Sequence, residues 1–161
     1  MKSILLGGFV VGGLVAIQSL MRLLRTLRLK RLWAEAQEAL QNHDLVRAER
    51  ALRACVARMP LWMPARVLLG LVCARQGNLA DAEAHIKMAI EFHPRQHEGY
   101  LQLGLFYAMF CPDRAEDAIA ALTSAVDLAP SLRETLGQET RLAALRQHPG
   151  FKQLLFPPPP Q

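Results

Sequence analysis

The stretch that decides the fold is residues 68–94, LLGLVCARQGNLADAEAHIKMAIEFHP, in which two apolar segments flank a Gly-Asn turn and a proline follows. Four of its positions recur along the chain: Ala82, Ile86, Ala89 and Pro94. Identical or similar residues stand 34 positions earlier and 36 positions later, at Ala48, Leu52, Cys55 and Pro60, and at Ala118, Leu122, Ala125 and Pro130. A period of this length is the signature of an array of helical repeats.

The pair Leu69-Gly70 also recurs, as Leu103-Gly104. Together these positions resemble the tetratricopeptide repeat, a pair of antiparallel helices with small residues at the crossing and a closing proline. The resemblance covers residues 29–130 and implies an all-α, right-handed solenoid with three helix pairs, at residues 29–62, 63–96 and 97–132. The first pair fits least well, because Glu35 stands where the family has an aliphatic residue. Its first helix could instead continue from the preceding basic segment as one long helix.

The N-terminal segment is predicted to be a single transmembrane helix. Residues 3–21, SILLGGFVVGGLVAIQSLM, carry no charge and would reach about 28 Å as a helix, close to the thickness of a bilayer core. A secretory signal is the competing interpretation, but bulky leucines and arginines follow the run instead of a small-residue cleavage site. A stripe of small residues at Gly8, Gly12 and Ala16 predicts contact with another transmembrane helix, although glycine is also common in membrane helices in general.

The basic segment at residues 22–32 predicts the orientation. By the positive-inside rule, the N-terminus lies outside and the repeat domain is cytoplasmic, as in a protein of the bacterial inner membrane. The basic side chains are expected to contact anionic lipid headgroups: Arg22, Arg25, Arg28, Lys30 and Arg31.

The near-neutral charge of residues 33–161 argues against a nucleic-acid interface on the repeat domain. Residues 33–161 hold 13 basic and 14 acidic residues, so the net charge of +5 comes from the N-terminal segment. The three cysteines lack metal-site spacing, and Cys55 and Cys73 occupy positions for small core residues. No catalytic, cofactor-binding or metal-binding motif is evident, so we expect neither an enzyme nor a small-molecule substrate.

The resemblance also implies a groove lined by the first helix of each pair. Its positions in this chain are Trp33, Gln37, Leu40, Gln41, Val67, Leu71, Ala74, Arg75, Leu101, Leu105, Ala108 and Met109. Trp33 and Gln37 stand where a carboxylate-clamp co-chaperone needs lysine and asparagine, so that function is not expected. A mostly apolar groove instead suits an amphipathic helix.

The C-terminal segment at residues 131–156 is expected to cap the array, because the last pair would otherwise expose an apolar face. Residues 141–155, RLAALRQHPGFKQLL, resemble the closing segment of bacterial tetratricopeptide arrays. The same residues could instead fill the chain's own groove. Residues 157–161 form a proline tail.

These features predict a membrane-anchored scaffold, with a repeat domain at residues 33–130, that serves as an accessory subunit or assembly factor of an inner-membrane complex. The alternative is an adaptor that recruits a soluble client to a membrane enzyme or protease.

Overall fold

The computed structural model describes the backbone of residues 2–157 and the side chains of residues 18–157. Residues 2–157 form eight α-helices: α1 Lys2–Gln41, α2 Leu45–Arg58, α3 Met63–Arg75, α4 Leu79–Phe92, α5 His97–Phe110, α6 Ala115–Leu128, α7 Leu132–Gln138 and α8 Pro149–Leu155. Two short 3₁₀ helices, Pro112–Arg114 and Thr140–Leu145, complete the described structure.

The first six helices form the three predicted pairs, in which α1 packs on α2, α3 on α4 and α5 on α6. Tight turns join the partners of the first two pairs. Gly77 has a φ of 85° and His43 a φ of 57°, in the left-handed region that glycine adopts without a steric penalty. Pro60, Pro94 and Pro130 each follow the last helical residue of a pair by two positions.

Close helix crossings confirm the register of the repeat. A Cβ atom added at Gly70 would lie 2.8 Å from Ile86 Cγ1 and 2.9 Å from the Ala82 carbonyl oxygen. At Gly104 it would lie 2.6 Å from Leu122 Cγ. The two glycines therefore meet equivalent positions of their partner helices. A larger residue at either site would force the two helices apart.

The first pair differs from the others because α1 continues without interruption from the N-terminal segment. The alternative of one long helix is therefore confirmed. Glu35, the residue that departs from the repeat pattern, forms an ion pair with Arg47 of α2, at 3.3 Å between Oε1 and Nε. Ala36 and Ala39 next to it are fully buried.

No helix within the described part of the chain contains a stretch long and apolar enough to cross a membrane. The predicted span at residues 3–21 lies outside the described side chains, except for its last four residues. The stripe of Gly8, Gly12 and Ala16 also lies outside them.

The C-terminal segment packs on the third pair. Helix α8 contacts α6 and α7, while the 3₁₀ helix Thr140–Leu145 contacts α5. Four apolar side chains of the segment are almost completely buried: Leu136, Leu142, Leu145 and Phe151. The segment thus lies against both helices of the last pair.

Candidate protein-binding groove

The predicted groove residues lie on α1, α3 and α5, and the structure gives them unequal exposure. Of the twelve predicted positions, four are exposed: Gln37, Gln41, Arg75 and Met109. Four are partly buried: Trp33, Leu40, Leu71 and Leu101. Four are buried: Val67, Ala74, Leu105 and Ala108, with Leu105 at 1% relative exposure. The accessible surface is therefore smaller than the sequence predicts.

The predicted role of Leu105 is the main one that the structure corrects. The sequence places it toward a partner, but a side chain with 1% exposure cannot contact one in this conformation. The reason is the surroundings of α5, which packs against α3, α4, α6 and the 3₁₀ helix Thr140–Leu145. Leu105 belongs to the same hydrophobic core as Leu142 and Leu145. The predicted contact between Leu105 and a partner is therefore wrong for this conformation.

A small apolar pocket remains open between the inner helices of the first two pairs. It has a volume of about 160 Å³ and is lined by Leu40 of α1 and by Leu68, Leu71, Val72 and Arg75 of α3. Leucine and valine side chains provide an apolar surface, and the exposed Arg75 adds a cation to the lining. The pocket can receive one apolar side chain of a partner, while Arg75 can bind a carboxylate beside it.

Trp33 contributes to the joint between the first and second pairs. Its ring lies 4.7 Å from the ring of Trp62, centroid to centroid, with the planes tilted by 45°. Trp62 is the N-cap residue of α3. Such aromatic contacts contribute about 1 kcal/mol beyond burial. Trp33 is thus partly used within the chain, and only its remaining surface is available to a partner.

The loop between the first and second pairs is held by side chains that the sequence analysis did not identify. Arg66, with 6% relative exposure, donates two hydrogen bonds to the Pro60 carbonyl oxygen, at 3.0 and 2.8 Å. Its guanidinium lies 5.2 Å from the centroid of the Phe92 ring, and burial lowers the pKa of Arg66. His93 Nε2 lies 2.6 Å from the Leu61 carbonyl oxygen. These contacts stabilise the angle between neighbouring pairs.

A charged cluster joins the second pair to the third. The Glu83 carboxylate of α4 accepts hydrogen bonds from the Tyr107 hydroxyl at 2.7 Å and from Arg114 at 2.6 Å. Lys87 Nζ lies 2.6 Å from the same carboxylate, and Arg114 also pairs with Asp117 at 2.6 Å. The Arg114 hydrogen bond is the largest cause that lowers the pKa of Glu83 to about 2. Glu83 therefore stays ionised and links the two pairs.

The predicted packing role of two cysteines agrees with their positions, because Cys55 and Cys73 are fully buried. Burial raises the pKa of both thiols, which makes them poor nucleophiles. Among the described residues, no three His, Cys, Asp or Glu side chains are grouped so that they could hold a metal ion. The five basic residues predicted to meet lipid are all exposed: Arg22, Arg25, Arg28, Lys30 and Arg31.

No family model matches the chain, and no curated protein matches it. Among solved structures, the chain is similar to a mutant of Thermobaculum terrenum O-GlcNAc transferase, with a TM-score of 0.62 and 25% sequence identity over 75% of this chain. The chain spans only 22% of that protein, so the likeness concerns the helical architecture. The paired helices, their register and this likeness agree on an all-α, tetratricopeptide-like repeat, an architecture that serves as a protein–protein interaction scaffold.

Proposed function

We propose that this protein is a membrane-anchored scaffold that binds a protein partner through the groove of its repeat domain, as an accessory subunit or assembly factor of a bacterial inner-membrane complex. The observation that carries the groove assignment is the open apolar pocket lined by Leu40, Leu71 and Arg75. Met109 extends this surface on α5, with 44% relative exposure. A groove of this kind suits an amphipathic helix that also carries an acidic residue.

The membrane part of the proposal is supported by sequence and by the course of α1. The uncharged run at residues 3–21 precedes five basic residues, a pattern typical of a span with its C-terminal side in the cytoplasm. Because α1 runs from Lys2 to Gln41, a span at its start would connect rigidly to the first helix of the array. We propose that the groove is thereby held at a short distance from the membrane surface. The contact stripe at Gly8, Gly12 and Ala16 would add a second site for the complex, within the bilayer.

The test is co-purification of the full chain in neutral detergent, followed by identification of the retained proteins. Met109→Glu should remove partners, because the substitution places a charge on the apolar surface while leaving the core intact. The matched control is Leu128→Glu, since Leu128 has 42% relative exposure on the outer helix α6. Loss of partners with Met109→Glu but not with Leu128→Glu supports the groove, and unchanged partners with Met109→Glu contradict it.

The same experiment separates the two kinds of scaffold. A permanent subunit should be retained at constant stoichiometry through extended washing. An adaptor that recruits a soluble client should lose that client on washing, because transient interfaces dissociate faster.

A further inference from the structure

A second candidate site lies between the middle of α1 and the end of α2. It is a cleft of about 410 Å³, lined by Arg25, Thr26, Arg28, Leu29, Arg58 and Met59. Arg25 and Arg28 come from the basic segment, but Arg58 is the last residue of α2 and so belongs to the first helix pair. The cleft therefore joins residues that are about thirty positions apart in sequence.

The lining is strongly cationic. It contains three guanidinium groups and no acidic residue. Among the described residues, Arg25, Arg28 and Arg58 form no ion pair, and the side-chain hydrogen bond of Arg58 is the one from Nη1 to the Ala54 carbonyl oxygen at 3.0 Å. Most of the donors in the cleft thus face solvent. Guanidinium groups bind phosphate oxygens in pairs, with a geometry that lysine does not match.

One exposed apolar side chain belongs to the lining of this cationic cleft. Met59 has a relative exposure of 45%, and Leu61, two residues later in the same loop, has 61%. The exposed leucines of α1 are not part of the cleft: Leu20, Leu23, Leu24 and Leu27 lie, at 100° per residue, on the face opposite Arg22 and Arg25. A cationic cleft with an exposed methionine in its lining suits a ligand with a phosphate head and an acyl chain.

The position of the cleft along α1 agrees with such a ligand. Arg25 and Arg28 follow the proposed span, which ends at Met21, by about 6 and 10 Å of helix. The headgroup layer on each side of a bilayer is about 5–8 Å thick, so Arg25 would lie within it and Arg28 at its outer edge. This inference rests on the proposed membrane anchor, since it places the cleft at the level of the lipid phosphates.

We propose that the cleft formed by Arg25, Arg28 and Arg58 binds the phosphate of an anionic phospholipid. The lipid then connects the first helix pair to the membrane surface, so that it sets the direction in which the groove opens. Arg58 goes beyond the basic residues of α1 that the sequence predicts as lipid contacts. Through Arg58, the repeat domain itself contacts the membrane.

The experiment uses the full chain in neutral detergent and counts bound lipid by native mass spectrometry during titration with phosphatidylglycerol. Phosphatidylcholine is the uncharged control, and inorganic phosphate is the competitor that separates a lipid site from a free-phosphate site. Arg58→Gln should weaken the affinity for phosphatidylglycerol about tenfold, the effect of losing one charge-assisted contact. Arg50→Gln is the matched control, because Arg50 is exposed on the same helix but does not line the cleft; its affinity should stay within about twofold.

Three results would overturn the proposal. Unchanged affinity with Arg58→Gln would mean that α1 alone attracts the lipid. Equal weakening by Arg50→Gln would mean general charge attraction, and displacement of the lipid by equimolar phosphate would mean a free-phosphate site. A double-mutant cycle combines Arg58→Gln with Arg25→Gln. If Arg25 and Arg58 bind the same phosphate, the loss of lipid-binding free energy in the double variant should be smaller than the sum of the losses in the two single variants.

A negative result in the lipid-binding test can be distinguished from a negative result in the partner-binding test of the groove. Lipid counting does not depend on protein partners, and the groove variant Met109→Glu should bind phosphatidylglycerol as the unsubstituted chain does. Thermal unfolding of Arg58→Gln should also be unchanged, because Arg58 is exposed.

Discussion

Glu83 shows how a single side chain connects two repeats. It lies on α4, while Tyr107 and Arg114, which both donate to its carboxylate, belong to the third pair. Arg114 is the last residue of the 3₁₀ helix Pro112–Arg114, which lies in the turn between α5 and α6, in the repeat that is two residues longer than the others. An enlarged turn therefore has a structural use, because it brings a guanidinium to the carboxylate of the neighbouring repeat.

This cluster predicts a dependence of stability on pH. The pKa of Glu83 is lowered to about 2 in the folded chain from a usual value of 4.5, so the folded state favours the ionised form. The resulting stability is fully present above about pH 4.5 and is lost as the pH falls toward 2. Glu83→Gln should lower the free energy of unfolding by about 2 kcal/mol at pH 6, after allowance for solvent screening.

Thermal unfolding of the full chain in detergent, followed by circular dichroism between pH 2 and 7, measures this effect. The difference between the unsubstituted chain and Glu83→Gln should shrink to nothing near pH 2. Glu91→Gln, an exposed site on the same helix, should melt as the unsubstituted chain does. A constant difference between Glu83→Gln and the unsubstituted chain across this range would show that shape, and not charge, explains the loss.

At the scale of elements, the burial of side chains changes along α5. Leu105 is buried in the core next to the C-terminal segment, while Met109, one turn later, has 44% relative exposure. The 3₁₀ helix Thr140–Leu145 contacts α5, and α8 contacts α6. The C-terminal segment thus covers Leu105 but leaves Met109 exposed.

This difference in burial predicts that two substitutions on α5 will change the free energy of unfolding by very different amounts. Leu105→Glu should lower the free energy of unfolding by about 3 kcal/mol or more, because it buries an unpaired carboxylate. Met109→Glu should change it by less than about 0.5 kcal/mol, as at most exposed positions. Thermal melts of both variants measure the difference. A Leu105→Glu chain that melts as cooperatively as Met109→Glu would mean that the C-terminal segment leaves α5 at little cost.

At the scale of the whole molecule, α1 links the N-terminal segment to the repeat domain. It is continuous from Lys2 to Gln41, and its C-terminal part is the first helix of the array. In the proposed membrane-anchored arrangement, this continuous helix would set the direction of the repeat domain relative to the membrane.

The proposed topology predicts the accessibility of an added cysteine in bacterial cells. Ser131→Cys, at an exposed position, should react with a membrane-impermeant maleimide only after the inner membrane is lysed, in a background with Cys111→Ser. Cys55 and Cys73 are buried and should not contribute. Lys2→Cys is the opposite control and should react before lysis. Labelling of Ser131→Cys in cells with an intact inner membrane would exclude a cytoplasmic repeat domain.

The register of the helix crossings could be predicted from the sequence, but the exposure of the predicted groove residues could not. The close approaches at Gly70 and Gly104 depend on residues within one helix pair. The burial of Leu105 and the pairing of Trp33 with Trp62 depend on neighbours outside the pair. No local pattern in the sequence indicates those neighbours.

Local patterns in the sequence predict the helix pairs and their tight crossings, because turn residues, prolines and small residues act within about 34 positions of chain. Only the folded chain shows which of the predicted groove residues are exposed, that Arg66 and Glu83 join neighbouring pairs, and that Arg58 lies beside Arg25 and Arg28 in one cleft. The physical reason is distance along the chain. Contacts inside a pair follow from local helix geometry, whereas contacts between pairs arise only when the pairs stack and bring remote side chains together.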